Sequence, residues 1–334
     1  MSRFLQETLS GNTAIALPYC LPTGAGVQVM DEGVIRFEPQ DIDNTALDLV
    51  ISCGIHGNET APVELVDQLI EQIMLGAIKV RARVLFIFGN VAALRSGCRF
   101  VEEDMNRLFS RTPEVEDGIE KRRAAMLEMH VMRFFQANAP AKKPRFHYDL
   151  HTAIHGSLIE KFAIYPLPKP GNTFSTVEIA RLSLAGVDTV LLQSTVSSTF
   201  SFFSSRHCNA AAFTIELGSA RPFGENQQID LSKMASYLQQ LIQGELPTPD
   251  LVPEQVQVFR VSREVIKKTN DFKFAIDAKT DNFTPLAQGL ILAEDQGEQF
   301  IVEEADARII FPNPDVPPGL RAGLVIVPAK DFDA

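Results

Sequence analysis

The clearest pattern along the chain is an alternation of short apolar runs with segments of helical periodicity, between about residues 47 and 244. Short apolar runs bounded by turn residues are typical of buried strands. The predicted strands span residues 47–53, 84–88, 146–150, 162–165, 189–192 and 212–217. Strands that alternate with helices predict an α/β domain with a largely parallel or mixed sheet.

Apolar residues recur at helical spacing in two of the segments between these strands. The first set is Val63, Val66, Leu69, Ile70 and Ile73, and the second is Leu231, Met234, Leu238 and Leu241. This spacing predicts helices that lay one face on the sheet. Residues 117–137 form a third candidate helix.

The pattern changes after Gly244, where Pro247, Pro249 and Pro253 mark a short linker. The segments that follow read as short strands separated by Gly, Pro and Asn, at residues 256–261, 272–276, 289–293, 299–302, 308–311 and 324–327. We therefore predict two domains: an α/β domain of residues 1–247 that carries the chemistry, and a small β-rich domain of residues 248–334.

Composition and charge limit the function classes. With 45% hydrophobic and 22% charged residues among 334, the chain has the profile of a globular protein rather than a disordered or fibrous one. Its formal net charge of −11 argues against a nucleic-acid partner, because a phosphate backbone would be repelled. An anionic small molecule would need a local cluster of arginines.

Compartment signals point to the cytoplasm. Residues 1–18 lack a basic segment followed by an apolar stretch, so no secretory signal is expected, and no run is long enough for a membrane span. The four cysteines show no C-x-x-C spacing, which suits free thiols in a reducing compartment. We expect a cytoplasmic protein.

One short segment has the composition of a metal site. His56 and Glu59 follow the predicted strand 47–53 and precede a helix, which is where open α/β sheets place ligands. His151 closes the strand 146–150 and would project at the same edge. Two histidines and a carboxylate can hold a catalytic Zn²⁺ and leave a fourth position for water. A histidine three residues before a glutamate also occurs by chance in loops, so a structural role stays open.

The remaining histidines are competing candidates for the ligand positions. His147 alternates with Asp149 and His151 on one face of the same strand, and it ranks below His151 because it lies deeper along that strand. His130 falls in a predicted helix and His207 in a predicted loop, where structural or surface roles are expected.

A carboxylate interrupts the last apolar strand of the first domain. Burying Glu216 unpaired would be costly, whereas a place at the strand end facing a metal would make it a general base for an attacking water. A salt bridge from Glu216 to a structural arginine is the alternative.

Arginines supply candidate anion contacts. Arg99, Arg107 with its neighbour Asn106, and Arg206 could fork hydrogen bonds onto an oxyanion or a carboxylate. Together they would form a local positive pocket in an acidic protein. Taken singly, an arginine is more often a surface or salt-bridge residue.

Taken together, these motifs resemble the aspartoacylase and succinylglutamate desuccinylase family, a deacylase branch related to zinc carboxypeptidases. The matching segments are residues 54–62, Gly89-Asn90, Arg99, 104–107, 149–154 and 214–218. The resemblance implies one Zn²⁺ per subunit, held by His56, Glu59 and His151. It implies Glu216 as general base and then acid, and Arg99 as the group that polarises the carbonyl. It also implies that substrate carboxylates are held by Asn106, Arg107 and Arg206.

The reaction expected from this resemblance is hydrolysis of N-succinyl-L-glutamate to L-glutamate and succinate, in arginine catabolism. Phe202 stands where the aspartoacylases place a tyrosine that touches substrate, which argues against that activity. His155 stands where we expect arginine in the desuccinylases, which bears on how a substrate carboxylate is held. The alternatives are a deacylase for another N-acyl amino acid and a metal-binding module without turnover.

Overall fold

The structure is a computed structural model that describes residues 1–13, 17–42, 45–109, 117–136, 143–153, 156–249, 254–277 and 279–329. Its strands are β1 (Tyr19–Cys20), β2 (Gly26–Asp31), β3 (Val34–Glu38), β4 (Asp48–Cys53), β5 (Arg83–Phe88), β6 (Arg145–Ala153), β7 (Lys161–Tyr165), β8 (Thr189–Leu192), β9 (Ala211–Ser219), β10 (Gln257–Ile266), β11 (Lys273–Phe274), β12 (Thr284–Pro285), β13 (Ile291–Asp295), β14 (Glu298–Ile301), β15 (Arg308–Ile310) and β16 (Arg321–Pro328).

The helices are α1 (Arg3–Ser10), α2 (Thr60–Met74), α3 (Val91–Ser96), α4 (Ile119–Gln136), α5 (Thr176–Leu184), α6 (Phe200–Cys208) and α7 (Ser232–Ile242), with a short 3₁₀ turn at Met105–Arg107. No helix within the described ranges is long and apolar enough to cross a membrane.

One mixed sheet organises the molecule. Within the part of the chain that the structure describes, thirteen strands follow the order β1-β2-β3-β5-β4-β6-β9-β7-β8-β10-β16-β15-β12. The central strands β5, β4, β6 and β9 are parallel to one another. Strand β3 runs antiparallel to β5 on one side of this group, and β7 runs antiparallel to β9 on the other. The carboxyl ends of β4, β6 and β9 therefore meet at one edge.

Helices cover both faces of the sheet because the central strands carry apolar side chains on both faces. In β4, Leu49 and Ile51 join the core beneath α2 and α7, whereas Val50 faces the opposite core beneath α4 and α6. Every residue of β4 is buried. Such doubly buried strands read as continuous apolar runs, which is why they were visible in the sequence.

The predicted fold class is confirmed: a central mixed sheet flanked by helices is followed by a smaller β-rich part. The ends of the six predicted strands of the first domain lie within two residues of those of β4 to β9, apart from the carboxyl end of β6, which extends three residues further. The hairpin strands β1 to β3 and helix α1 were not predicted. Strand β2 has only one buried residue, so it lacks an apolar run.

The β-rich part contains a small sheet of its own and also extends the main sheet. Strands β11, β13 and β14 form the separate three-stranded antiparallel sheet. Strand β10 pairs in parallel with β8, and β16, β15 and β12 extend the main sheet further. Its own apolar core includes Val265, Leu292 and Val325. The domain boundary near residue 248 stays a prediction, since the main sheet runs through both parts.

A buried ion pair stabilises the edge of the sheet opposite the carboxyl ends. Arg83 donates to Asp48 Oδ1 at 3.1 Å and to the carbonyl of Phe134 at 3.0 Å, and both members of the pair are 1% exposed. Burial raises the pKa of Asp48, although Arg83 opposes that shift.

Replacing Arg83 with Met should lower the free energy of unfolding by about 3–5 kcal/mol, because Asp48 would be left buried without its partner. Urea unfolding measures the change, and the exposed Arg81, replaced by Met in the same way, is the matched control. Equal effects of the two substitutions would contradict this account.

Candidate metal and active site

Three of the predicted site residues meet at the carboxyl edge of the sheet. The ligand atoms of His56, Glu59 and His151 all lie within 4.8 Å of one another. His56 Nδ1 is 2.8 Å from Glu59 Oε1, and His151 Nδ1 is 3.0 Å from Glu59 Oε2. All three side chains are buried. Both imidazoles thus turn Nδ1 toward the Glu59 carboxylate.

The loop between β4 and α2 places two of these residues. Gly54 has a φ of +64°, which lets the chain turn as β4 ends, and Glu59 stands directly before α2. Gly57 packs against α3 so closely that a Cβ would lie 2.1 Å from the carbonyl carbon of Ala93. Only glycine fits there, so the position of His56 depends on this contact.

Carboxylates also hold the outer nitrogen of each ring. His56 Nε2 lies 2.9 Å from Asp104 Oδ1, and His151 Nε2 lies 3.0 Å from Asp149 Oδ2. A neutral imidazole that donates from Nε2 keeps the lone pair of Nδ1 for a cation. Two imidazole nitrogens and a carboxylate, supported in this way, are a donor set that fits a catalytic zinc ion.

The charges of the group are strongly coupled. Burial alone would raise the pKa of Glu59, but His56 and His151 outweigh it and hold that pKa well below its usual range. Burial likewise opposes the charged form of His151, yet Asp149 and Glu59 raise its pKa well above the usual value. Positive charge is therefore strongly favoured beside the Glu59 carboxylate.

Asp104 belongs to the same electrostatic group. Burial would raise the pKa of Asp104, but the hydrogen bond and charge of His56, together with Arg107 and Arg99, hold it below its usual range. The Asp104 carboxylate also accepts from the backbone N–H of Asn106, which fixes its orientation toward His56.

Glu216 faces this group from the neighbouring strand. It pairs in register with His151 across β6 and β9, and it is 8% exposed. Its Oε2 has no hydrogen-bond partner within the described residues. Burial raises the pKa of Glu216 to about 7, with Glu59 adding to the shift and His151 opposing it. No arginine salt bridge to Glu216 occurs in the described part of the chain.

Arg99 lies at the open side of the cluster. Its Nη1 donates to Glu59 Oε1 at 2.9 Å, and its Nη2 lies 3.8 Å from Asp104 Oδ2. Its side chain remains 29% exposed, so the guanidinium connects the buried ligands with the solvent-facing side.

Asn106 and Arg107 occupy the 3₁₀ turn next to Asp104. Asn106 Oδ1 accepts from the backbone N–H of Phe200 at 3.0 Å, which anchors the start of α6. Arg107 is 53% exposed and lies 4.0 Å from Asp104. Both predicted substrate contacts are thus adjacent to the cluster, and Arg107 points to solvent.

Arg206 lies in the last turn of α6 and is exposed. Its side chain makes no hydrogen bond or ion pair to another described residue, so no contact of the described residues links it to the cluster. The role of Arg206 in substrate binding stays a prediction.

The competing histidines lie elsewhere. His147 is buried in the middle of β6 and bonds to Ser52 and Ser204 rather than to the cluster. His130 contacts Asp31, and the ring of His207 packs on Phe203. His155 lies outside the described residues.

Two acidic residues that orient the rings were not assigned roles from the sequence. Asp104 and Asp149 both stood inside the motifs, but no spacing rule links Asp104 to His56, forty-eight residues earlier. Asp149 had a local signal, because residues two apart share one face of a strand. Nothing in the sequence indicated that Arg321 of β16 lies near Arg107. Burial lowers the pKa of Arg321, and the charge of Arg107 lowers it further.

Comparison with known proteins shows the family to which the chain belongs. A family model described as "Succinylglutamate desuccinylase/Aspartoacylase catalytic domain" matches residues 45–242, and "AstE/AspA barrel-sandwich hybrid domain" matches residues 254–329. The chain belongs to this family. A relative in Pseudomonas putida named succinylglutamate desuccinylase is 47% identical and covers 98% of this chain and 97% of its own.

Solved structures of two family members resemble the whole fold. The succinylglutamate desuccinylase of Vibrio parahaemolyticus gives a TM-score of 0.90 at 34% identity, covering 98% of this chain and 95% of its own. The Chromobacterium violaceum protein of the same name gives 0.83 at 39% identity, with 98% of each chain covered. The resemblance noted from the sequence motifs is confirmed.

Replacing Gly57 with Ala should destabilise the protein by about 1–3 kcal/mol and displace His56, because the new methyl group would meet the backbone of Ala93. Urea unfolding and metal content measure the two effects. Gly26→Ala is the control, since a Cβ there meets nothing closer than 3.8 Å. Unchanged metal content in Gly57→Ala would show that this contact does not set the site.

Proposed function

We propose that this protein is a zinc-dependent amide hydrolase that converts N-succinyl-L-glutamate and water to L-glutamate and succinate. The observation that supports this most directly is the meeting of His56, Glu59 and His151 beside Glu216. The donor set suits one Zn²⁺ per subunit, and Glu216 is an acid–base group beside it. When bound, Zn²⁺ would lower the pKa of the attacking water and polarise the scissile carbonyl.

Glu216 is the proposed general base. Its unpartnered Oε2 can accept the proton of the attacking water as the new C–O bond forms. The same carboxyl then donates that proton to the leaving amine nitrogen as the C–N bond breaks. A carboxyl group with its pKa raised to about 7 suits both steps near neutral pH.

Arg99 is the proposed group that polarises the carbonyl. Its guanidinium is held beside Glu59 and stays partly exposed, so it can donate to an oxyanion that develops on the open side of the cluster. Fixed donors near developing charge need little rearrangement during reaction, which is the physical basis of this assignment.

We assign the substrate carboxylates to Asn106 and Arg107, with Arg206 retained as a third predicted contact. The backbone N–H of Phe200 donates to Oδ1 of Asn106, so Nδ2 of Asn106 remains as the donor for a substrate carboxylate. Arg107 supplies a forked donor at the surface of the site. Arg99 and Arg107 both lie beside Asp104, and the charge of Arg107 also acts on Arg321. These arginines supply positive charge locally in a protein of net charge −11.

The choice of substrate rests on the family. Relatives that share 44–47% identity with this chain over nearly its full length carry the name succinylglutamate desuccinylase. Phe202 is buried in α6, where an aspartoacylase would need tyrosine. A role in arginine catabolism and a cytoplasmic location belong to the same proposal.

Replacing Glu216 with Gln should lower kcat by a factor of about 10²–10⁴, because general-base help is lost while the side chain keeps its shape. Bound zinc, measured by metal analysis, should stay at one ion per subunit. The exposed Glu225, replaced by Gln, is the control. Full activity in Glu216→Gln would remove Glu216 from the mechanism and favour a different base.

A substrate panel with zinc analysis tests the rest of the proposal. Amine release from N-succinylglutamate should exceed that from N-acetylaspartate and N-acetylglutamate, and it should stop when a chelator removes zinc and return when zinc is restored. Equal rates on the three substrates would leave the deacylase mechanism but exclude the specific substrate. Zinc binding without turnover of any of them would indicate a metal-binding module.

A further inference from the structure

A buried chain of hydrogen bonds runs from His151 through the sheet to helix α6. Asp149 Oδ2 lies 3.0 Å from His151 Nε2, and Asp149 Oδ1 accepts from the Ser52 hydroxyl at 2.5 Å. Ser52 Oγ lies 2.8 Å from His147 Nε2, and His147 Nδ1 lies 2.7 Å from Ser204 Oγ. None of the five side chains belongs to a residue that is more than 1% exposed.

The chemistry of these groups fixes the direction of each bond. A carboxylate only accepts, so the single hydroxyl hydrogen of Ser52 is committed to Asp149. Ser52 Oγ can then only accept from His147, which places a proton on His147 Nε2. In a neutral imidazole the other nitrogen is an acceptor, so Ser204 donates to His147 Nδ1.

The surroundings of His147 keep its ring neutral. It is fully buried, and the ring of Phe200 packs against it edge to face at a centroid distance of 4.7 Å. Burial lowers the pKa of His147 to about 4, although the nearby Asp149 opposes that shift. A neutral ring with the proton on Nε2 completes one consistent set of donors from Ser204 to Asp149.

We propose that this chain of hydrogen bonds selects Nδ1 of His151 as its metal-binding nitrogen, and that His147 is a positioning residue for the reaction. By donating to Ser52 Oγ, His147 holds the Ser52 hydroxyl where its hydrogen reaches Asp149. Ser52 in turn holds that carboxylate against His151, which keeps the outer proton of His151 on Nε2. The proposal rests on the proposed zinc site. It explains why a histidine occupies the interior of β6 without joining the cluster.

Zinc affinity, measured by competition with a coloured chelator, tests the chain of hydrogen bonds. Ser52→Ala should weaken zinc binding by up to about 10- to 100-fold, the range for loss of the group that orients a metal-ligating histidine, because Asp149 would lose the hydroxyl that holds it against His151. Ser52→Thr keeps the hydroxyl and should restore most of that affinity. The matched control is Ser201→Ala. Ser201 is buried on α6 and bonds to Thr214, and neither residue belongs to the chain of hydrogen bonds from His151 to Ser204.

Thermal unfolding of each variant checks that it folds. Equal zinc affinities of folded Ser52→Ala and Ser201→Ala would overturn the proposal. If the unaltered protein binds no zinc, the proposed function fails instead, and the direction of the hydrogen bonds is judged by the next measurement alone.

Nitrogen NMR of the protein with ¹⁵N-labelled histidine reads the proton on His147 directly, with and without zinc. The signals of His147 are identified by their loss in His147→Gln. A proton on Nε2 and none on Nδ1 is the expected result. A proton on Nδ1 would overturn the assigned direction, whether or not the variants retain zinc.

Discussion

The parallel, in-register pairing of β4, β6 and β9 is the constraint on which the site depends. Cys53 pairs with Leu150, and His151 pairs with Glu216, so the ends of three strands lie side by side. Neighbouring strands are about 4.8 Å apart, which brings side chains from distant parts of the sequence within bonding range. A register slip of one residue would turn His151 to the opposite face.

Glu59 is the electrostatic centre of the arrangement that this pairing creates. It accepts hydrogen bonds from Arg99 and from the backbone N–H of Thr152, and it contacts both imidazoles. An ionised carboxylate so deeply buried is tolerated only because several donors and positive charges surround it. Positive charge in this acidic protein is thus gathered around one of its own buried anions.

The sequence predicted the parts of the fold that depend on local patterns. Central strands appeared as continuous apolar runs, and the residues proposed to bind the metal stood where such strands end. The pattern could not show β1, which is short and exposed, or β2, which has a single buried residue, nor the contact between His56 and Asp104. That contact depends on how two loops pack, and no periodicity records it.

The pairing of β8 with β10 has a consequence for how the molecule avoids aggregation. All four residues of β8 are buried, and the far side of the strand is closed by β10 from the carboxyl-terminal part. Without that cover, β8 would be a flat apolar edge with free backbone donors and acceptors, open to pairing with another polypeptide. The β-rich part therefore covers the β8 edge of the central sheet and protects it from pairing with another polypeptide.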